Sequence, residues 1–268
     1  GIITGGSSGI GKALARRLAN DGWDISLIAR RADVLGAARD EITESAHAAG
    51  ARIHAIAADV SKRDEATEAV ARAIELAGPP ALVVAAAGIA VPGYFDELSV
   101  DVHEETLAIN YLGTLYTVLA AWPSMRDAGR GSIVMISSGT GLTGIFGYTA
   151  YAPSKFAVRG FAESLRPEAR RHGVQVSVVY PPDTDTPQLA AENKTKPPET
   201  RAIAAGARVL SADEVAAAIL RGVATRRFAI TPGMEMSLLH RLHSVLDPLL
   251  RRWFDHVADR VHPAGALR

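Results

Sequence analysis

The chain has 268 residues, with 29 Lys plus Arg balancing 29 Asp plus Glu, and it has no cysteine. Zero net charge argues against nucleic acid as a partner, because neutralising phosphates needs a cationic surface. The lack of cysteine excludes disulfides, thiolate catalysis and Cys-based zinc sites. Hydrophobic residues make up 48% and charged residues 22%, a globular composition. No window of about 18 uninterrupted apolar residues occurs, so no transmembrane helix is predicted. A cytoplasmic protein, at most peripheral at a membrane surface, is expected. The first residues, GIITGG, lack a Met and read as the inside of a strand. Further residues are therefore expected upstream, where a targeting or anchoring segment would lie.

Short β-branched runs alternate with longer Ala-rich ones. Strands are predicted over 1–4, 24–29, 51–57, 81–86, 131–137, 174–180 and 227–230. Helices are predicted over 10–20, 32–49, 62–77, 100–127, 151–171 and 211–223. The strands are continuous apolar runs, as in a sheet covered by helices on both faces. Repeated strand–helix units imply right-handed crossovers and a doubly wound parallel sheet, an α/β fold. A single dinucleotide-binding catalytic domain is expected over 1–233, with a helical extension over 234–268. Residues 183–210 interrupt the alternation and read as a substrate loop, since long loops in compact domains often bind ligands.

TGGSSGIG, Thr4 to Gly11, joins the first strand to the first helix, with glycines at Gly5, Gly9 and Gly11. Glycines let a backbone approach a pyrophosphate closely, and the helix N-terminus behind them offers free N–H groups. Gly6, Gly11 and Lys12 nearly spell a P-loop, but that motif needs Ser or Thr where Ala13 stands. A dinucleotide is thus expected. Folds that bind NAD place an acid after the second strand. This chain has Arg30 and Arg31 there, a fork suited to a 2′-phosphate and so to NADPH/NADP+. Asp59, after the third strand, either touches the adenine amino group or caps the helix that starts near Ser61.

Tyr151 and Lys155 stand four apart in YAPSK, on one face of a predicted helix. An ammonium beside a phenol is expected to lower its pKa from about 10. Tyr151 would then exchange a proton near neutral pH, as reduction of a ketone requires. Ser138 ends the fifth strand, where a hydroxyl could polarise the carbonyl. Asn110 sits within a predicted helix, an unfavourable position for Asn unless its side chain has a partner.

TGGSSGIG, INYLG, ISS and YAPSK, in this order, resemble the short-chain dehydrogenase/reductase family, over about the first 186 residues. The resemblance implies a seven-stranded Rossmann-type sheet and a tetrad of Asn110, Ser138, Tyr151 and Lys155. Tyr151 is then the general acid, and Ser138 holds the substrate oxygen. Lys155 binds the nicotinamide ribose and tunes Tyr151, and Asn110 holds a relay water. It also implies cofactor contacts at Ser7, Ser8, Ile10, Val60, Ala87, Gly88, Pro181, Thr184 and Thr186. Two departures stand out. Ala85-Ala86-Ala87-Gly88 replaces the usual Asn-Asn-Ala-Gly, removing side-chain hydrogen bonds to the sheet. Pro167 falls inside the helix that carries Tyr151, where proline removes a hydrogen bond.

PPDTDTP at 181–187, with KPPET at 196–200, resembles the 3-ketodihydrosphingosine reductases within that family. This implies a long-chain amino ketone as substrate, the alternative being another hydrophobic ketone or a 3-oxoacyl chain. Asp183, Asp185, Glu192 and Glu199 place carboxylates in the substrate loop. One of these four, with Asp185 preferred and Asp183 next, is expected to pair with the ammonium beside the ketone, the alternative being that they cap turns and a short helix after Thr186. From Met234 to Val261, apolar residues recur at helical spacing among arginines, and Pro248 is expected to split or kink the helix. Such a face fits a membrane interface, or equally a subunit contact or core packing. His240 and His243 lack a third ligand and are not read as a metal site. Helices 100–127 and 151–171 are expected, by the resemblance, to form a subunit interface in a homo-oligomer.

Overall fold

The computed structural model describes residues 1–46 and 49–262. Seven parallel strands form the central sheet: β1 (Ile2–Thr4), β2 (Ile25–Ala29), β3 (Ile53–Ala57), β4 (Leu82–Ala85), β5 (Gly131–Ile136), β6 (Val174–Val179) and a last strand, Ala229–Ile230, in the order β3-β2-β1-β4-β5-β6-last. Registers run from Ile2 opposite Ser26 and Val83 to Val179 opposite Ile230. The order reverses at β1, between β2 on one side and β4 on the other. In open α/β sheets that reversal opens a crevice at the carboxyl ends of the strands.

Successive strand residues bury into opposite layers, which explains the apolar runs. Ile2, Ile28, Val83, Ile133 and Met135 face one layer with Val118, Met125 and Val158. Ile3, Leu27, Val84, Val134 and Val179 face the other with Leu14, Leu35 and Ile219. The second layer comprises α1 (Gly9–Asn20), α2 (Ala32–Ser45) and a helix at Ala212–Ala224. Helix 32–49 was expected to run further, and residues 47 and 48 lie outside the described residues. The first layer comprises α3 (Arg63–Ala77), then α4 (Val100–Leu107), α5 (Gly113–Ala128) and α6 (Tyr151–Arg171). The stretch predicted as one helix over 100–127 contains a π-turn at Ala108–Leu112 between α4 and α5. Pro167 lies inside α6, and the helix continues through it.

The substrate loop is folded. Its start, β7 (Thr184–Asp185), pairs in parallel with β8 (Leu210–Ser211), and the last strand of the main sheet is therefore β9. Between them lie α7 (Pro187–Thr195) and α8 (Pro198–Ala204). Thr186 caps α7, its Oγ accepting from the Leu189 N–H at 3.2 Å, and Pro187 takes the first helical position, where a missing N–H costs nothing. Ser211 and Glu214 form a reciprocal capping box that opens α9, the helix at Ala212–Ala224.

The tail is a single helix, α10 (Met234–Val261), with Pro248 inside it, not two. Its inner side packs on the body through Met236, and its end is held by His262, whose Nδ1 lies 2.6 Å from Glu199 of α8. Leu238, Val245 and Leu249 are exposed on its outer side. No described helix is long and apolar enough to cross a membrane.

Candidate active site

The predicted site loops follow the carboxyl ends of strands, while Asn110, Tyr151 and Lys155 are carried by helical elements. The glycine loop follows β1, Arg30 and Arg31 follow β2, and Asp59 and Val60 follow β3. Ala87 and Gly88 follow β4, Ser138 follows β5 and Pro181 follows β6. The topology thus gathers residues as far apart in the chain as Gly5 and Pro181 along one crevice.

The glycine loop fits a phosphate cradle. A Cβ on Gly11 would sit 2.5 Å from the carbonyl oxygen of Gly5, and one on Gly9 would sit 3.1 Å from the Thr186 methyl. Only glycine leaves the loop and the start of the substrate lobe this close, with the first turn of α1 open above them. Ser8 is the N-cap of α1 and makes no side-chain cap bond. Arg30 is half-exposed, 3.8 Å from Glu105, and Arg31 is exposed at the start of α2. Both guanidinium groups are reachable by a phosphate at the end of β2. Asp59 does not cap α3, which starts at Arg63 with Lys62 as its N-cap; its Oδ1 accepts from the Ser61 N–H and hydroxyl at 3.0 and 2.7 Å and so closes a tight turn ahead of that helix.

Behind the crevice, Asn110 is fully buried in the π-turn. Its Oδ1 accepts from the Ile89 N–H at 2.8 Å, and its Nδ2 donates to the Ile89 carbonyl at 3.0 Å and to Ser154 Oγ at 2.9 Å. The side chain therefore clamps the segment after β4 to α6, one residue before Lys155. A π-turn at this point is where functional sites often distort a helix. The Ala85–Gly88 departure is compensated on the other side. The buried Thr4 hydroxyl accepts from the N–H groups of Ala86 and Ala87 at 3.2 and 3.3 Å.

Tyr151 and Lys155 share one face of α6, as the i,i+4 spacing requires, with Nζ 5.4 Å from the phenol ring centroid, and both are buried. Nζ donates to the Ile136 carbonyl at 3.0 Å. Burial pushes the ammonium down to about 8, with Glu192 acting in the opposite direction. The phenol departs from expectation. Burial raises the Tyr151 pKa, Glu192 and Asp183 raise it further, and the nearby Ser138 and Gln188 side chains only partly oppose this. The expected lowering fails because a desolvated ammonium does not offset the desolvation of a phenolate. Tyr151 is held protonated, the form a reductase needs. Ser138 opens a short 3-10 turn, its Oγ accepting from the Thr140 N–H at 3.2 Å. Ser137, its neighbour, instead donates to the Lys155 carbonyl at 2.9 Å and braces α6.

Around the phenol lies a shell of which the sequence had named only Glu192, as one of four loop carboxylates, and not Tyr148 or Gln188. Tyr148 stacks obliquely on Tyr151, with ring centroids 5.6 Å apart, and its hydroxyl donates to Glu192 at 2.9 Å. Gln188 donates to the other Glu192 oxygen at 2.9 Å. Glu192 is buried, and that burial raises its pKa. The two aspartates favoured from sequence are placed otherwise. Asp183 receives the buried Lys196 ammonium at 3.3 Å, and Asp185 is exposed on β7. The thirteen-residue separation of Asp183 from Lys196 hid the first pairing, and the β7–β8 pairing that turns Asp185 outward was not visible. Thr184 and Thr186 hydroxyls donate to the carbonyls of Pro182 and Thr184 at 2.8 and 3.1 Å, so they also stiffen this turn. The signal that could have exposed Glu192 is the Thr186-Pro187 helix start, which sets Gln188 and Glu192 on one face at i,i+4. Among the described residues no cluster of His, Asp and Glu suits a metal.

A model of the family described as short chain dehydrogenase matches residues 2–197. The chain is 39% identical over 249 residues to the 3-ketodihydrosphingosine reductase of Mus musculus, covering 92% of this chain and 75% of that protein. It is 36% identical to the protein of the same name from Dictyostelium discoideum, covering 95% and 80%. Among solved structures, a short-chain dehydrogenase from Sphingobium yanoikuyae in complex with NADPH superposes with a TM-score of 0.78 at 25% identity, covering 93% of this chain and 94% of that one. An alcohol dehydrogenase from Thermococcus sibiricus complexed with 5-hydroxy-NADP gives 0.73 at 27% identity, covering 86% and 94%. With the family model spanning most of the chain and relatives of this similarity over nearly all of it, the protein belongs to the short-chain dehydrogenases.

Proposed function

We propose that the protein reduces the 3-keto group of 3-ketodihydrosphingosine to the alcohol of dihydrosphingosine, using NADPH. The observation that carries this reading is the similarity to several 3-ketodihydrosphingosine reductases over nearly the whole chain, substrate lobe included. The bound nicotinamide supplies a hydride to the ketone carbon. Tyr151, kept protonated by burial, donates its phenolic proton to the ketone oxygen, and Ser138 Oγ holds that oxygen in place. Lys155 favours the phenolate that remains, and Asn110 keeps α6 in register with the segment after β4. A panel of ketones with NADPH and with NADH tests the reading. Turnover of 3-ketodihydrosphingosine is expected. Its failure alongside turnover of a 3-oxoacyl thioester favours the alternative substrate class, and no turnover of any ketone favours a non-catalytic dinucleotide-binding scaffold.

The choice of NADPH rests on Arg30 and Arg31. In Arg30→Ala and Arg31→Ala variants, KM for NADPH is expected to rise about 10-fold, as when a charge-assisted hydrogen bond is lost. KM for NADH should stay near the wild-type value, and steady-state kinetics with both cofactors reads the difference.

The exposed stripe of Leu238, Val245, Leu249 and Trp253 on α10 supports peripheral contact with a membrane, since the substrate is itself a lipid. Exposed Leu119 on α5 and Phe156 on α6 support a homo-oligomeric contact there. Vesicle flotation of wild type and of Val245→Glu/Leu249→Glu should show binding lost in the variant. Flotation unchanged by the substitutions rules out the stripe as the lipid contact.

A further inference from the structure

We infer that Glu192, oriented by Tyr148 and Gln188, recognises the ammonium that neighbours the substrate's ketone and so sets the preference for an amino ketone. The inference deepens the proposed reaction and rests on it.

Three observations carry it. The first is position. Glu192 sits on α7 of the substrate lobe and reaches the catalytic phenol through two contacts: Tyr148, which packs on Tyr151, and Gln188, which lies beside the Tyr151 hydroxyl. In the substrate, the amine and the ketone are on adjacent carbons. A carboxylate one side chain away from the proton donor is where the amine must come when Tyr151 engages the ketone oxygen.

The second is charge. The groups facing Glu192 are Tyr148, Tyr151 and Lys155 from the catalytic side, and Asp183 and Lys196 from the lobe. Within the lobe two carboxylates face one ammonium. Asp183 takes Lys196 as its ion-pair partner at 3.3 Å. Among the described residues no Lys, Arg or His nitrogen forms an ion pair with Glu192, whose bonded donors, Tyr148 and Gln188, are both neutral. A cation arriving at this site completes the missing half of a pair.

The third is cost. Glu192 is only 7% exposed. Burying a carboxylate that forms no ion pair destabilises a fold, and an apolar or amide side chain would serve packing better. Its two neutral donors fix the carboxylate's orientation without neutralising it. That is the arrangement for a group whose countercharge comes from a ligand.

The test compares 3-ketodihydrosphingosine with its analogue lacking the amine, as the ratio of their kcat/KM values. In Glu192→Gln the ratio is expected to fall about 100-fold, the scale for removing one partner of a buried charge pair. Thermal stability at neutral pH should rise, because the isosteric amide removes a buried charge. In Glu192→Asp, which keeps the charge at shorter reach, part of the ratio should return. A ratio unmoved in Glu192→Gln, in an enzyme whose wild type prefers the amino ketone, overturns the assignment of Glu192 alone. No turnover of the amino ketone by the wild type, with the amine-free ketone reduced, overturns the proposed reaction instead. A measurement on unaltered protein stands beside the variants. Dihydrosphingosine should inhibit at least about 10-fold more strongly than its N-acetyl form, and equal inhibition by the two overturns recognition of the cation.

Discussion

Tyr151→Phe is expected to lower kcat by roughly 1,000-fold, the middle of the range for losing a positioned proton donor, while NADPH binding is retained. The side chain packs against Tyr148 through its ring, and Phe preserves that ring. The variant therefore removes the proton and little else. Cofactor titration by fluorescence and single-turnover reduction separate the two quantities. Because Tyr151 is held protonated by burial and by Glu192 and Asp183, the wild-type reduction rate should stay flat through neutral pH. A rate that climbs with pH between 6 and 8, as a phenolate mechanism would give, contradicts the raised pKa.

Lys155→Met is expected to cost activity and add stability. The ammonium no longer stabilises the phenolate left on Tyr151, and kcat should drop about 100-fold or more. Stability moves the other way. Folding carries the Lys155 pKa from its ordinary 10.5 down to about 8, chiefly by burial. Between those two values the unfolded chain binds a proton that the folded chain lacks, so wild-type stability from this group rises with pH through that window, by up to about 1.4 kcal/mol per pH unit. Below pH 8 the folded state carries the full penalty. Urea denaturation at pH 7 and pH 10 should therefore show the variant more stable than wild type at pH 7, with the difference shrinking at pH 10. A constant difference at both pH values would mean that the buried ammonium is not the source.

The parts legible in the sequence were those governed by local rules. All seven strands of the main sheet were placed within a few residues, because runs such as ALVVAA have no other stable use in an α/β chain. Helix 151–171 was placed to the residue, and it carries Tyr151 and Lys155 as spacing alone requires. What stayed hidden was set by contacts distant in sequence. The π-turn at Asn110 depends on Ile89 and Ser154, which no local pattern links to it. Asp183, Asp185 and Glu192 look alike as acids in a polar loop. Lys196, the β7–β8 pairing and Tyr148 decide which of them is neutralised, which is exposed and which is buried beside the phenol. The phenol's pKa was misjudged for a related reason: spacing gives the neighbour but not the depth of burial.

The pairing of Thr184 with Leu210 and of Asp185 with Ser211 brings the two ends of the substrate lobe together at a single bolt. Everything between them can then be lengthened, shortened or exchanged as a cassette. The entropic cost of closing a longer loop grows only slowly with length, and neither β6 nor α9 has to move. Tyr151, Lys155 and the glycine loop lie outside that cassette. Grafting a different 187–209 segment between the same two strand ends is the natural route to an altered substrate range, provided that the graft keeps an acid at the place of Glu192, which bears on the Tyr151 proton.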